Sequence, residues 1–98
     1  MRGNEILSRL LLVGAVALVC VAAAPAAEAA DTNFCRDYAA AAIRQAELGY
    51  SIPRCRPGMG GPRWATDFRV HYDWCLGASY EAAGVERDIR RRHIDACR

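Results

Sequence analysis

The chain contains no lysine; all 13 of its basic residues are arginine. Against 11 acidic residues this leaves a formal charge of +2, too small an excess to call for nucleic acid as a partner. The lysine deficit accompanies an abundance of alanine and reads as compositional bias rather than chemistry. No two cysteines stand in the Cys-x-x-Cys spacing of a dithiol redox catalyst or a zinc knuckle. No segment alternates polar and apolar residues at period two, so no sheet is expected. The glycine-rich stretch at 58–61 lacks a Gly-Lys-Ser/Thr ending and a preceding strand, so it is not a phosphate cradle. A length of 98 residues excludes a two-domain enzyme, a nucleotide-binding βαβ array and a barrel. Disorder is disfavoured by 24% charged and 8% aromatic residues.

What is present begins with an export pattern. Arg2 and Arg9 precede an apolar stretch from Leu10 to Ala24, which then meets Pro25. A basic segment, an apolar segment and the small residues of Ala27-Glu28-Ala29 predict a secretory signal over 1–29, cleaved after Ala29 or within one or two residues of it. A retained anchor is the competing reading, but the stretch falls short of the ~20 residues a spanning helix needs. Cys20 follows Val19, where lipoprotein processing wants Gly, Ala or Ser, so it belongs to the discarded peptide.

Residues 30–98 then carry four cysteines: Cys35, Cys55, Cys75 and Cys97. An even number in a short exported chain predicts a disulfide framework. A chain this short is near the limit at which one core suffices, so the bridges are expected to be indispensable. Three pairings exist. If the first and last helices pack antiparallel, Cys35–Cys97 and Cys55–Cys75 join neighbouring ends, and that pairing is the preferred one.

Three helices are expected. The first follows cap-type residues Asp31, Thr32 and Asn33 and runs to about Leu48, with Gly49 as its stop. Its inner stripe is Cys35, Tyr38, Ala39, Ala42, Ala46 and Gly49 at i, i+3, i+4 and i+7 spacing. Three prolines and three glycines make 50–63 irregular. A short second helix, capped by Thr66 or Asp67, runs to Leu76; it is apolar on most sides, hence largely buried. The third starts at Ser79 and carries Ala82, Val85, Ile89, His93 and Ala96 as its inner stripe.

The most chemical cluster is Arg63, Trp64, Asp67, His71 and Trp74. Asp67 and His71, four apart on one helix face, form half of a general-base arrangement. No nucleophile completes it, and a hydrogen-bonded core histidine is the preferred reading of His71. Trp64 and Trp74 suit stacking on a sugar ring or a guanidinium, yet in a chain this poor in large residues both are first read as core. Arg63 either bonds loop carbonyls or recognises an anion, the former being preferred. Arg87, Arg90, Arg91 and Arg92 make the last helix basic, with Glu86, Asp88 and Asp95 interleaved, so a solvated mixed face outranks a cationic binding surface. His71 and His93 alone do not make a metal site.

The run Cys35-x-x-Tyr38-Ala39, Gln45, Gly61-Pro62-Arg63-Trp64, Asp67, His71-x-x-Trp74-Cys75 and a final Arg-rich helix ending in Cys97 resembles small exported proteins of Gram-negative bacteria whose function is unknown. Similar sequences carry Cys-Gly directly before Gly-Pro-Arg-Trp, whereas Cys55 is followed here by Arg56-Pro57-Gly58-Met59-Gly60, which implies a longer or rearranged loop. The resemblance implies architecture and no activity.

The expected protein is therefore an all-α, three-helix, disulfide-stapled domain that is periplasmic or secreted. Its expected function is that of a non-catalytic binding or structural module of the bacterial envelope, recognising an envelope protein or cell-wall component through the Gly58–Trp64 loop, with Trp64 exposed. A small hydrolase-like or redox enzyme using His71 and Asp67 is one alternative. A cationic binder of anionic surfaces acting through the last helix is another. No cofactor, metal, nucleic acid or membrane span after signal removal is expected, and the chain is expected to be a monomer.

Overall fold

The computed structural model describes residues 28–98. Residues 1–27 of the expected signal, Cys20 among them, lie outside the described residues. Three helices follow in order: α1 (Thr32–Ser51), α2 (Phe68–Leu76) and α3 (Tyr80–Cys97). Two single 3-10 turns, Pro53–Cys55 and Pro62–Trp64, punctuate the long α1–α2 connection. Among the described residues there is no strand, only an isolated bridge between Ala29 and Ser79.

Each helix begins where a short polar side chain takes an otherwise unpaired backbone N–H. Asp31 accepts from Phe34 at 2.8 Å, Asp67 from Arg69 at 2.9 Å and Ser79 from Ala82 at 3.1 Å. The α1 stripe falls as the spacing predicts: Cys35, Tyr38, Ala39, Ala42, Ala46 and Gly49 are all buried. Gly49 does not stop the helix, which continues one turn-fraction further to Ser51. Its lack of a side chain serves packing instead. A Cβ there would stand 2.6 Å from Met59 Cε and 2.8 Å from Sδ, so the missing methyl is the space Met59 occupies.

The α1–α2 loop is long but fixed. Tyr50 Oη donates to the Met59 carbonyl at 2.9 Å, and Arg56 Nε donates to the Tyr50 carbonyl at 2.9 Å. Gly58, at φ +84°, turns the chain in the left-handed region while passing under the His93 ring. His93 Nε2 donates to the Cys55 carbonyl at 2.7 Å.

The disulfides are Cys35–Cys75 and Cys55–Cys97, not the preferred Cys35–Cys97 and Cys55–Cys75. The correction has a simple cause. α1 and α3 run parallel, with α2 antiparallel between them in sequence. The tight connection at 77–79 returns the chain to the start of α1, where Ala30 N donates to Ala78 O at 2.9 Å and Tyr80 Oη to Asp31 Oδ2 at 2.9 Å. α3 then climbs alongside α1 and ends beside Cys55. With an odd number of helices, first and last point the same way, so Cys97 cannot reach Cys35.

Each bridge sits inside one of two apolar clusters. Cys35 and Cys75 pack with Ala30, Tyr38 and Ala83; Cys55 packs with Ala46, Met59, Trp64 and Ile94, with Cys97 against them. Between the two ends, α1 offers only Ala39 and Ala42 as fully buried side chains. Small side chains bring helices close but bury little area each, so the covalent links stand where the apolar interior is thin.

Two further expectations are corrected. The inner stripe of α3 is Ala83, Arg90 and Ile94, one residue out of phase with Ala82, Val85, Ile89, His93 and Ala96; Val85 is 50% exposed. And α2 is not enclosed: only His71 and Cys75 are buried, while Phe68, Val70, Trp74 and Leu76 are exposed. A helix of nine residues packed mainly against α1 buries one side, whatever the polarity of the rest.

Candidate functional site

The five residues singled out in the sequence divide into two groups. Trp64 is 3% exposed and lies in the cluster with Met59 and Ile94, tilted against His93 at 5.0 Å between ring centroids. The core reading of Trp64 holds, and the exposed Trp64 that recognition through the loop required is overturned, since the 3-10 turn Pro62–Trp64 directs the indole into the core. Asp67 is spent on capping α2. It does not orient His71, whose Nε2 faces the Ala65 carbonyl at 2.7 Å. A carbonyl only accepts, so Nε2 carries the hydrogen and the ring is held as a buried donor, 3% exposed. The general-base pair that the i, i+4 spacing suggested is not assembled.

Arg63, His71 and Trp74 do come together, around a partly open cavity of about 360 Å³. α1 contributes Tyr38, and the loop contributes Gly60, Pro62 and Arg63. α2 adds Val70, His71 and Trp74, and α3 adds Glu86 and Arg90. Its walls are mostly apolar. Trp74 is 44% exposed, at the reverse of the core position expected for it, with its ring tilted over Tyr38 at 5.6 Å.

The electrostatics are set by two arginines. Arg63 forms a two-pronged pair with Glu86, Nε to Oε2 at 2.7 Å and Nη2 to Oε1 at 3.1 Å, rather than bonding loop carbonyls. This guanidinium holds the Glu86 carboxyl below its ordinary 4.5, against a smaller opposing effect of burial. Arg90, expected on the basic outer face, is instead 1% exposed. Its Nε donates to Gln45 Oε1 at 2.7 Å, and its Cζ lies 5.2 Å from the centre of the Tyr38 ring. Sequence reasoning missed it because a charged side chain defaults to solvent. The available signal was that Ala83, Arg90, Ile94 and Cys97 keep helical spacing with an arginine among them.

Comparison of the chain with known proteins finds no match to a family model, a curated protein or a solved structure. The site therefore has to be read from its own chemistry. Among the described residues, no group of three or more His, Cys, Asp or Glu is placed to hold a metal ion, and no helix is long and apolar enough to cross a membrane. The basic stretch of α3 is dispersed: Arg90 is buried, and Arg91 pairs with Asp88 at 3.3 Å.

Two carboxylates make stability depend on acid. Asp31 is held below its ordinary 3.8, first by the Phe34 N–H it accepts and then by the Tyr80 hydroxyl; Glu86 is held down by Arg63. A depressed folded-state pKa stabilises above the unfolded value and is lost as pH falls through the folded one. The urea midpoint is expected to hold between pH 7 and about pH 5 and to fall steadily below about pH 4. A midpoint unchanged down to pH 3 would show that neither contact contributes.

Proposed function

We propose that residues 30–98 form an exported, non-catalytic binding module of the bacterial envelope, which receives its partner in the cavity between the α1–α2 loop and α2. The observation that carries this is the cavity's composition: a half-exposed Trp74 at the mouth, apolar walls, and arginine at its edge and floor. Small-molecule and side-chain sites share that mixture of aromatic area with a few fixed polar groups. Two disulfides support an oxidising compartment. The part of the loop that faces the partner is Gly60–Arg63, with Trp64 as its buried support.

The test is capture from envelope extract with the oxidised protein and with Trp74→Ala. Trp74 is half-exposed, so its removal is expected to cost no more than about 1 kcal/mol of stability. The variant should keep its circular dichroism spectrum and lose the captured species. Equal capture by both proteins would remove the cavity as the recognition site.

A further inference from the structure

Arg90 is an unusual buried group. A guanidinium carries five N–H donors and stays charged in proteins, and this one is almost wholly removed from solvent. Nε is well bonded to Gln45, and Nη1 reaches the Arg63 carbonyl only at 3.5 Å. Nη2 has no hydrogen-bond partner among the described residues. Nor does any ion pair involve Arg90 among those residues; Glu86, the acidic wall of the same cavity, already gives both oxygens to Arg63. An unpaired charged donor in a low-dielectric site is costly and is normally relieved by an acceptor. Arg90 is among the residues lining the cavity but is only 1% exposed, so an acceptor seated there bonds Nη2 once the side chains over it shift.

The charge balance narrows the acceptor. Arg63 and Glu86 cancel, leaving the single positive charge of Arg90. That matches one negative charge; a dianion would add a second beside Glu86. Of the remaining walls, Tyr38, Pro62, Val70 and Trp74 are apolar or aromatic, and His71 has its Nε2 engaged by the Ala65 carbonyl. A volume of about 360 Å³ is at the small end for ligand sites and leaves room for one aromatic amino acid or a small aromatic acid.

We infer that the cavity binds a monocarboxylate with an apolar or aromatic body, its carboxylate on the Arg90 guanidinium and its body against Trp74 and Val70. Two sources share this chemistry, a free acid and the C-terminal residue of a peptide. The inference rests on the binding-module reading and names the chemical class of what the module takes.

The experiment is calorimetric titration of the oxidised protein with N-acetylphenylalanine, its amide, the peptide Gly-Gly-Phe, that peptide amidated at its C-terminus, and phenyl phosphate. At least one of the two acids is expected to bind, and its amide at least tenfold more weakly. Binding of N-acetylphenylalanine alone identifies a free acid, and comparable binding of Gly-Gly-Phe identifies a peptide C-terminus. Because Arg90→Gln can fail to fold, Val70→Trp provides the second variant. It fills the cavity from an exposed position and should weaken acid binding at least tenfold while leaving the dichroism spectrum intact. Amides that bind within threefold of the acids, no binding of either acid at millimolar concentration, or tighter binding of phenyl phosphate would each overturn the inference. If that happens while envelope capture still depends on Trp74, only the ligand class is wrong. Amide-sensitive binding with Trp74-independent capture would instead keep the carboxylate site and remove the cavity as the surface that captures the envelope partner.

Discussion

Reduction of the two disulfides is expected to abolish the cooperative unfolding transition. The bridges close loops separated by 40 and 42 residues along the chain, for which the chain-entropy relation gives about 4 kcal/mol each. The loops interlace, Cys55 lying inside the first and Cys75 inside the second, so the two contributions overlap rather than add. Even one of them is comparable with the lower end of the ~5–15 kcal/mol that holds ordinary domains folded. Replacing Cys35 and Cys75 together by alanine, or Cys55 and Cys97, is expected to cost about 2–5 kcal/mol in either case. Urea titration followed by circular dichroism measures it. The physical cause is the alanine-rich interior of α1, where Ala39, Ala42 and Ala46 bring the helices close without much area to bury. A reduced protein with an unaltered midpoint would show that this interior suffices without covalent help.

Trp64→Ala is expected to unfold much of the population, at a cost of about 3–5 kcal/mol. Trp64 is the largest apolar group of its cluster, and it fixes Met59, which in turn fills the space that Gly49 leaves open. Losing the indole loosens the whole Cys55–Cys97 end of the bundle. Trp74→Ala, ten residues on, removes a side chain of equal size with small effect. The contrast reverses what residue type alone suggests, and near-UV dichroism with urea midpoints reads both variants in one experiment. Similar losses for the two tryptophans would contradict the assignment of one to the interior and the other to the cavity mouth.

The features legible in the sequence are those that local chemistry decides. Helical spacing placed the α1 stripe residue for residue, and Asp31, Asp67 and Ser79 marked the helix starts because a short acceptor before an apolar run satisfies unpaired N–H groups. Four cysteines were recognisable as a framework. Their pairing was not, since it depends on whether α1 and α3 run parallel, and no short-range signal records that. The phase of α3 was hidden for a related reason. Arg90 is drawn inward by Gln45 and Tyr38, which lie on α1, and periodicity that treats arginine as an outside residue selects the neighbouring stripe.

The same limit applied to the site. The sequence brought Arg63, His71 and Trp74 together through proximity along the chain, and the fold keeps them around one cavity. It also offered Asp67 as a partner for His71, although a cap position takes precedence over an i+4 contact. Both tryptophans read as core, which holds for Trp64 and fails for Trp74, because burial follows which side of a turn or helix meets α1 and α3, and hydrophobicity does not determine that side.

Digestion of the unreduced protein with trypsin provides the most direct measurement, since cleavage after arginine puts Cys35, Cys55, Cys75 and Cys97 on separate peptides. Mass spectrometry should find the peptide ending at Arg36 joined to 70–87, and 55–63 joined to 93–98, the pattern of parallel first and last helices with Cys35–Cys75 and Cys55–Cys97 bridges. Finding the peptide ending at Arg36 joined to 93–98, or four free thiols in folded protein, would contradict the fold and the cavity that rests on it.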